Sequence, residues 1–412
     1  MKILFLQAYF EPERVASPYL GENKRQAYAD AGFDMVLYTP VSTRGVTDEV
    51  RRAYKSRLHE QALDGRLQIR RFPLMREGKN PLLRALRYFL CTRRLYKAAL
   101  KEPDADVLAI ASTPPFHLQL MHKLKKKRPG IRIVYNLQDI FPDSLVHTGL
   151  AGKGSLLWKL GRRMEDRGYA AADKIVVISE DFRQNILAKG VPEDKIVLIR
   201  NWVDEKAVRS VPRGENPLFD AYGLDRGRFY VCYSGNVGLT QNMDLLLDVA
   251  KQLADVPGIG FIIVGEGAYK PQVEKRIREE QISNVTLLPF QPYEKISDVF
   301  SLGDCGLIIS KAGVGSNSVP SKTWSIMAAA RPVLACFDKG SELDRIVTET
   351  GCGVCTPAGD ADAFRDAVLR LYRDRDALAA MGDAGRRYIE QNLTRAIGTA
   401  KWIDVMRQVC GC

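Results

Sequence analysis

Three short stretches in the second half of the chain carry residues suited to a phosphorylated ligand. The longest begins Ser310-Lys-Ala-Gly-Val-Gly-Ser-Asn-Ser-Val-Pro-Ser-Lys322 and follows the apolar run Cys305-Gly-Leu-Ile-Ile309. Small residues and then Pro320 read as a loop entering a helix, with Ser321 and Lys322 in its first turn. A helix start presents free N–H groups and a positive dipole end. A lysine there is electrostatically unwelcome unless an anion sits beside it. The same stretch also fits an ordinary strand-to-helix turn with a solvated lysine. The second stretch, Gly235-Asn236-Val237-Gly238, directly follows an apolar run, and its glycines allow close backbone approach and amides aimed at phosphate. The third, Gly265-Glu266-Gly267, places a carboxylate at another strand end, where it could bind ribose or sugar hydroxyls. Together these imply a site for a diphosphate bearing hydroxyls, a nucleotide sugar in outline.

The first half has its own candidates. An apolar run ends at Ser112-Thr-Pro-Pro-Phe-His117, and another runs into Leu137-Gln-Asp139-Ile-Phe-Pro-Asp143. Open parallel sheets bind ligands outside the carboxyl ends of their strands, which is where His117 and Asp139 fall. His117 and His122 equally fit surface positions on or beside a basic helix. Other chemistries lack their motifs. There is no Gly-x-x-x-x-Gly-Lys-Ser/Thr loop, no Gly-x-Ser-x-Gly elbow and no glycine triplet of a dinucleotide site. No Asp-x-Asp pair stands out to chelate a metal under a nucleotide. Cys352-Gly-Val-Cys355 has no second pair at zinc spacing.

The elements that must position these residues alternate strand and helix. Lys2–Tyr9, a helix over Leu20–Ala31 closed by Gly32, and Asp34–Pro40 form a strand–helix–strand unit, the signature of a parallel sheet. Further strands are expected at Leu67–Phe72, Asp106–Ala111, Ile131–Asn136, Lys174–Ser179 and Ile196–Val203, with a helix over Leu156–Ala171. Residues 204–228, rich in charge, Pro and Gly, read as an interdomain linker. The pattern restarts at Phe229 and runs through Gly260–Val264, Val285–Pro289, Cys305–Ile309, Val333–Phe337 and Gly353–Thr356. The implied α/β architecture is two doubly wound units, residues 1–203 and 204–389, with a cleft between them.

At 412 residues the chain can hold two such cores. The net charge of +12 is uneven: residues 1–200 carry an excess of +14 and the remainder −2. A basic first half suits an anionic partner, whether membrane surface, phosphorylated acceptor or nucleic acid. Pro81–Lys101 interleaves Leu82, Leu83, Leu86, Phe89 and Leu90 with Arg84, Arg87, Arg93, Arg94 and Lys97. That suits a helix lying in an anionic membrane interface, or a core-packed helix with a basic solvated face. No run of about eighteen apolar residues could span a bilayer. The apolar part of the N-terminus is too short for a signal peptide, which points to an intracellular protein.

The order of motifs resembles the retaining glycosyltransferases of family 4, in particular the bacterial subgroup that builds O-antigen, capsule and exopolysaccharide, including N-acetyl-fucosamine transferases. The motifs are Tyr9-Phe10-x-Pro12-Glu13, Ser112-Thr-Pro-Pro115, Asp139-Ile-Phe-Pro-Asp143, Ile199-Arg-Asn201, Ser234-Gly-Asn-Val-Gly238, Val264-Gly-Glu-Gly267, Val319-Pro-Ser-Lys322 and Arg331-Pro332. The resemblance implies two facing Rossmann-like domains of the GT-B type, with a last helix, about 390–412, crossing back onto the first domain. It implies sugar transfer from a nucleotide diphosphate donor, with retention and without a required metal or cofactor. The donor would meet Gly235, Asn236, Val237, Gly238, Glu266, Lys311, Asn317, Ser321, Lys322 and Ser325. The acceptor would meet Tyr9, Glu13, His117, Asp139 and Asp143, and Asp139 and Lys322 would be the catalytic pair. Asn317 and Ser325 stand where many members have glutamates, and Asn236 and Gln241 where they have Arg and Lys. Lys322, with Lys311, is then the main cation for the leaving diphosphate.

The function expected is transfer of a sugar, N-acetylated or deoxyamino and UDP-linked, to a lipid-diphosphate-linked saccharide at the cytoplasmic face of the membrane. Peripheral association would run through the basic first half. Two alternatives are a nucleotide-sugar epimerase of the same fold and a basic nucleic-acid-binding protein. The second lacks a reader fold or aromatic platform, so nucleic acid is not an expected partner.

Overall fold

The fold is taken from a computed structural model, which describes residues 1–13, 17–78, 80–143, 146, 152–315 and 320–411. The chain divides into two compact units, Met1–Arg200 with Gly398–Cys412, and Asn201–Ile397.

The first unit is built on an eight-stranded sheet of β1 (Lys2–Leu6), β2 (Asp34–Pro40), β3 (His59–Ala62), β4 (Leu67–Phe72), β5 (Val107–Ala111), β6 (Arg132–Leu137), β7 (Lys174–Val177) and β8 (Ile196–Leu198). Their order is β3-β4-β2-β1-β5-β6-β7-β8, and all neighbours are parallel except β3 with β4. The central strands are continuous apolar runs because helices cover both faces of a parallel sheet. Leu4, Leu6, Leu108, Ile133 and Ile175 lie in one core with Leu95, Met121 and Leu124 from the helices Pro81–Ala99 and His117–Lys127. The edge strand β3, His-Glu-Gln-Ala, has no apolar run and alternates exposed with half-buried residues. It and the helix Asp48–Ser56 give structure to much of the polar stretch 42–66.

The second unit holds β9 (Phe229–Ser234), β10 (Ile259–Val264), β11 (Val285–Leu288), β12 (Cys305–Ile309), β13 (Val333–Phe337) and β14 (Gly353–Pro357). They are all parallel, in the order β11-β10-β9-β12-β13-β14. Every residue of β10 and of β12 is buried.

Residues 204–228 are not a linker. Leu218, Phe219 and Leu224 are buried in one cluster with Tyr230, Cys232 and Ile262, and Val203 and Val208 pack with Trp324 and Met327. Their apolar side chains are too widely spaced to show a period, yet each fills the flank of the second sheet. The terminal helix Arg395–Cys410 buries Trp402 and Met406, and the Lys24 ammonium sits 4.3 Å from the Trp402 ring centre.

Each sheet has one point where the winding direction reverses. In the first, β1 has β2 on one side and β5 on the other; in the second, β9 lies between β10 and β12. Ligand crevices of doubly wound sheets open outside the carboxyl ends of the strands at this point.

Candidate active site

In the second unit the reversal point is occupied by Lys322. It is the first residue of the helix Lys322–Ala328, and its ammonium donates to the Tyr233 hydroxyl at 2.8 Å while lying over that ring, 4.5 Å from its centre. Tyr233 in turn donates to the Asn236 carbonyl at 2.6 Å. Burial holds the phenol pKa up, so it remains a donor. Among the described residues Lys322 has no carboxylate partner, and burial lowers its pKa to about 8. A cation kept half out of water without a counter-charge is a place prepared for an anion.

The glycines serve this lysine in a way different from that expected. Gly235 has φ +144°, and a Cβ on it would lie 2.0 Å from Lys322 Cε, so the bare backbone is the path along which the lysine reaches the strand end. Three of the loop amides are already engaged within the protein. Gly235 N donates to Val264 O and Val237 N to Glu266 O, both at 2.9 Å, and Gly238 N donates to Gln241 Oε1 at 3.1 Å. The expectation of a phosphate cradle from these amides is therefore corrected: three of the four are used to join the loop after β9 to the loop after β10 and to Gln241. Gly265 is fixed by the same join, with φ +151° and a virtual Cβ 1.9 Å from Gly235 O. Gly265→Ala must both strain the backbone and push the loops apart. The expected loss is about 3 kcal/mol, read as a lower urea midpoint.

The other donor candidates are placed as follows. Glu266 is exposed and paired with Lys270 at 2.6 Å. Lys311 is exposed just past β12, with its N–H on Thr240 O. Ser321 is exposed at the N-cap position and makes no capping bond, and Ser325 is half-buried on the next turn. Pro320 precedes the helix rather than opening it. Asn317 and Val319 lie outside the described residues.

In the first unit, Asp139 and Thr113 follow the adjacent strands β6 and β5, and Tyr9 follows β1. The buried Ser112 hydroxyl accepts the amides of Gln138 and Asp139, both at 3.1 Å, which fixes the turn. Thr113 Oγ1 donates to Asp139 Oδ2 at 3.4 Å. The Asp139 carboxylate is open at the surface, but the dense protein around it raises its pKa, and Thr113 offsets part of that rise. Tyr9 donates to Glu77 at 2.5 Å, with Tyr88 at 3.0 Å and the Arg44 guanidinium 4.3 Å from its ring centre. Asp143 is paired with Lys189 at 2.8 Å and Asn185 at 3.2 Å. Burial alone would raise its pKa; the lysine holds it below the usual carboxylate range.

Two acceptor candidates are corrected. Glu13 is buried, and its carboxylate accepts from the N–H and hydroxyl of Thr43, the N–H of Arg44 and the N–H of Phe10. Its oxygens clamp a loop and are not presented to a ligand. His117 is fully buried, with Nδ1 on Ala111 O at 2.9 Å, and burial lowers its pKa to about 4. It is a neutral core residue at the start of its helix. Sequence reasoning missed Tyr233, Thr113 and Lys270. Tyr233 carried the clearest signal, a phenol two residues before Gly235 in a buried strand, where its hydroxyl needs partners at the strand end.

Two doubly wound units, each built on a largely parallel sheet, are the architecture of the GT-B glycosyltransferases. The chain belongs to the glycosyltransferases: residues 23–207 match the family described as Glycosyltransferase Family 4, and residues 215–388 match Glycosyl transferases group 1. It is 30% identical over 341 residues to the probable glycosyltransferase WbjE of Pseudomonas aeruginosa, covering 82% of this chain and 83% of that one. It is 27% identical over 289 residues to the putative colanic acid biosynthesis glycosyl transferase WcaI of Escherichia coli K12, covering 69% and 70%. Among solved structures, the fold is shared with Anabaena HepE in complex with UDP, at a TM-score of 0.74 and 14% identity over 99% of this chain and 100% of that one.

Proposed function

We propose that this glycosyltransferase moves a sugar from a UDP-linked donor to a saccharide carried on a lipid diphosphate, with retention at the anomeric carbon and without a required metal, in surface polysaccharide assembly. The observation that carries this reading is the Lys322 ammonium, held by Tyr233 over Gly235 at the sheet's reversal point with no carboxylate partner among the described residues. The C1–oxygen bond to the diphosphate breaks, the electron pair leaves with the diphosphate, and Lys322 stabilises the charge that develops there. A new bond joins C1 to the acceptor oxygen, and the hydroxyl proton passes to Asp139. Glu266 takes ribose hydroxyls. The likeness to HepE with bound UDP supports the base, and the name of WcaI supports the pathway class. The resemblance to N-acetyl-fucosamine transferases supports an N-acetylated or deoxyamino sugar.

The test is a panel of nucleotide sugars with lipid-diphosphate-linked acceptors, read by mass spectrometry. A single UDP-sugar giving an acceptor lengthened by one residue is the expected result. Turnover of free UDP-sugar without an acceptor would make the protein an epimerase and overturn the reading.

Location at the inner membrane face is part of the proposal. No helix among the described residues is long and apolar enough to cross a membrane. The helix Pro81–Ala99 leaves Leu82 80%, Leu83 49% and Leu86 47% exposed, and Leu156–Ala171 leaves Leu156 85% exposed. Apolar rows this open, on the unit with the positive excess, suit a surface of anionic lipid. Flotation with phosphatidylglycerol vesicles should recover the protein at low salt. Leu83→Glu with Leu86→Glu should cut the bound fraction at least about tenfold, and no flotation of the unaltered protein at any salt refutes the location.

A further inference from the structure

Between the helices Pro81–Ala99 and His117–Lys127 runs a groove of about 480 Å³. That is within the usual range for small-ligand pockets, roughly 300–1,000 Å³. Its floor is formed by Phe89, Tyr96, Leu100, Phe116 and Leu120. Phe89 is 46% and Leu100 37% exposed, so apolar surface has been left uncovered on a helix pair that could have closed over it. Arg93, Lys97 and Lys123 stand along the rim. All three are exposed, and none has an acidic partner among the described residues. From Phe116 to Lys123 the groove follows the helix for ~10 Å.

An apolar floor with an unneutralised cationic rim fits one ligand chemistry, a hydrocarbon chain joined to phosphate. A protein helix would pair the three cations only if it carried acidic residues opposite each, and nucleic-acid bases would stack on the aromatic rings but leave Leu100 and Leu120 without an apolar partner. The groove also leads to the place where the sugar must be. Phe116, packed edge-on against Phe89 with ring centres 6.3 Å apart, is three residues past Thr113, whose hydroxyl meets Asp139. We propose that this groove seats the first carbons of the acceptor's lipid chain, with Arg93, Lys97 and Lys123 on its phosphates. The inference rests on the reading of the acceptor as a lipid-linked saccharide. It makes the enzyme select its acceptor by the carrier as well as by the sugar.

The experiment uses the full chain and monomeric dodecyl phosphate, with dodecyl maltoside and inorganic phosphate as controls, in titration calorimetry. Dodecyl phosphate should bind one-to-one, at least about tenfold more tightly than either control. Phe89→Asp and Leu100→Asp, both at exposed positions, should each weaken it about tenfold. Lys97→Glu with Lys123→Glu should erase the preference over the maltoside. Equal binding of dodecyl phosphate and maltoside, or unchanged binding by both apolar variants, overturns the proposal. So does binding to phosphatidylglycerol vesicles without binding of the monomer, which would assign these residues to the membrane surface alone. UDP affinity, measured on the same samples, separates this from the function proposed above. One-to-one amphiphile binding in a protein that extends no lipid-linked saccharide sustains the groove and refutes the acceptor. Transfer to a lipid-linked acceptor that Phe89→Asp and Leu100→Asp leave unchanged refutes the groove and sustains the acceptor.

Discussion

Asp139→Asn is expected to lower kcat by roughly 10²–10⁴-fold, the range for loss of a general base, while UDP affinity stays within about twofold. The side chain is held where a proton acceptor is useful. Ser112 anchors the turn through two amides, Thr113 donates to one carboxylate oxygen, and the surrounding protein raises the pKa. As a base, Asp139 works when ionised, so the rate should rise with pH through a pKa above the ordinary aspartate value of about 3.9. That limb should vanish in the asparagine variant. Stability runs the other way. A carboxyl with a raised folded pKa contributes stability while protonated, and loses it as pH rises through that pKa. At pH 7 the substitution should therefore leave Tm unchanged or slightly higher. Lost activity with unchanged Tm and unchanged UDP affinity supports the role. Activity within tenfold of the unaltered enzyme would remove Asp139 from the chemistry.

The second large effect is at Lys322. Lys322→Met keeps much of the stem volume and removes the charge, and kcat should fall by roughly 10²–10³-fold, as when one preorganised donor is lost. UDP binding should weaken with it. In the free enzyme the lysine titrates near 8. UDP affinity should thus be flat towards pH 7 and fall above about 8, by up to about tenfold per unit. Calorimetry in buffers of different ionisation enthalpy should record proton uptake on binding in that range. The fall and the uptake should both be absent in Lys322→Met. The linkage sign is again opposite for folding: between pH 8 and the unfolded value near 10.5 the unfolded chain holds more protons, so stability rises with pH. Lys322→Met should therefore be at least as stable as the parent at pH 7. Gly235→Ala should reproduce part of the functional loss, because its methyl would occupy the space now crossed by the lysine stem. If UDP binds Lys322→Met as tightly as it binds the parent across pH 7–9, the diphosphate assignment fails.

The strands were legible wherever both faces are covered. Cys305–Ile309 and Val333–Phe337 have no polar position to hide, and the helix Leu156–Ala171 is bounded by Ser155 as its cap and by Ala172 turning extended. Elements that bury little were not legible. The edge strand β3 is held by pairing with β4 rather than by its own apolar pattern. Residues 204–228 fold because Leu218, Phe219 and Val208 find a sheet flank supplied by distant strands.

The site divides along the same line. Sequence alone determined that two doubly wound units are present and which residues follow their strands, because strand–helix alternation and glycine turns are local properties. It also singled out Lys322 and Asp139. Only the tertiary structure decided which side chains remain available. Glu13 is taken by Thr43 and Arg44, thirty residues away, and His117 by the core. The amides of Gly235 and Val237 are taken by the end of β10 and the loop after it. Lys322, whose partner Tyr233 lies 89 positions earlier, meets no carboxylate among the described residues. Availability depends on which hydrogen-bonding groups are already satisfied and on how much water remains around a charge. Both are set by neighbours far apart in the chain.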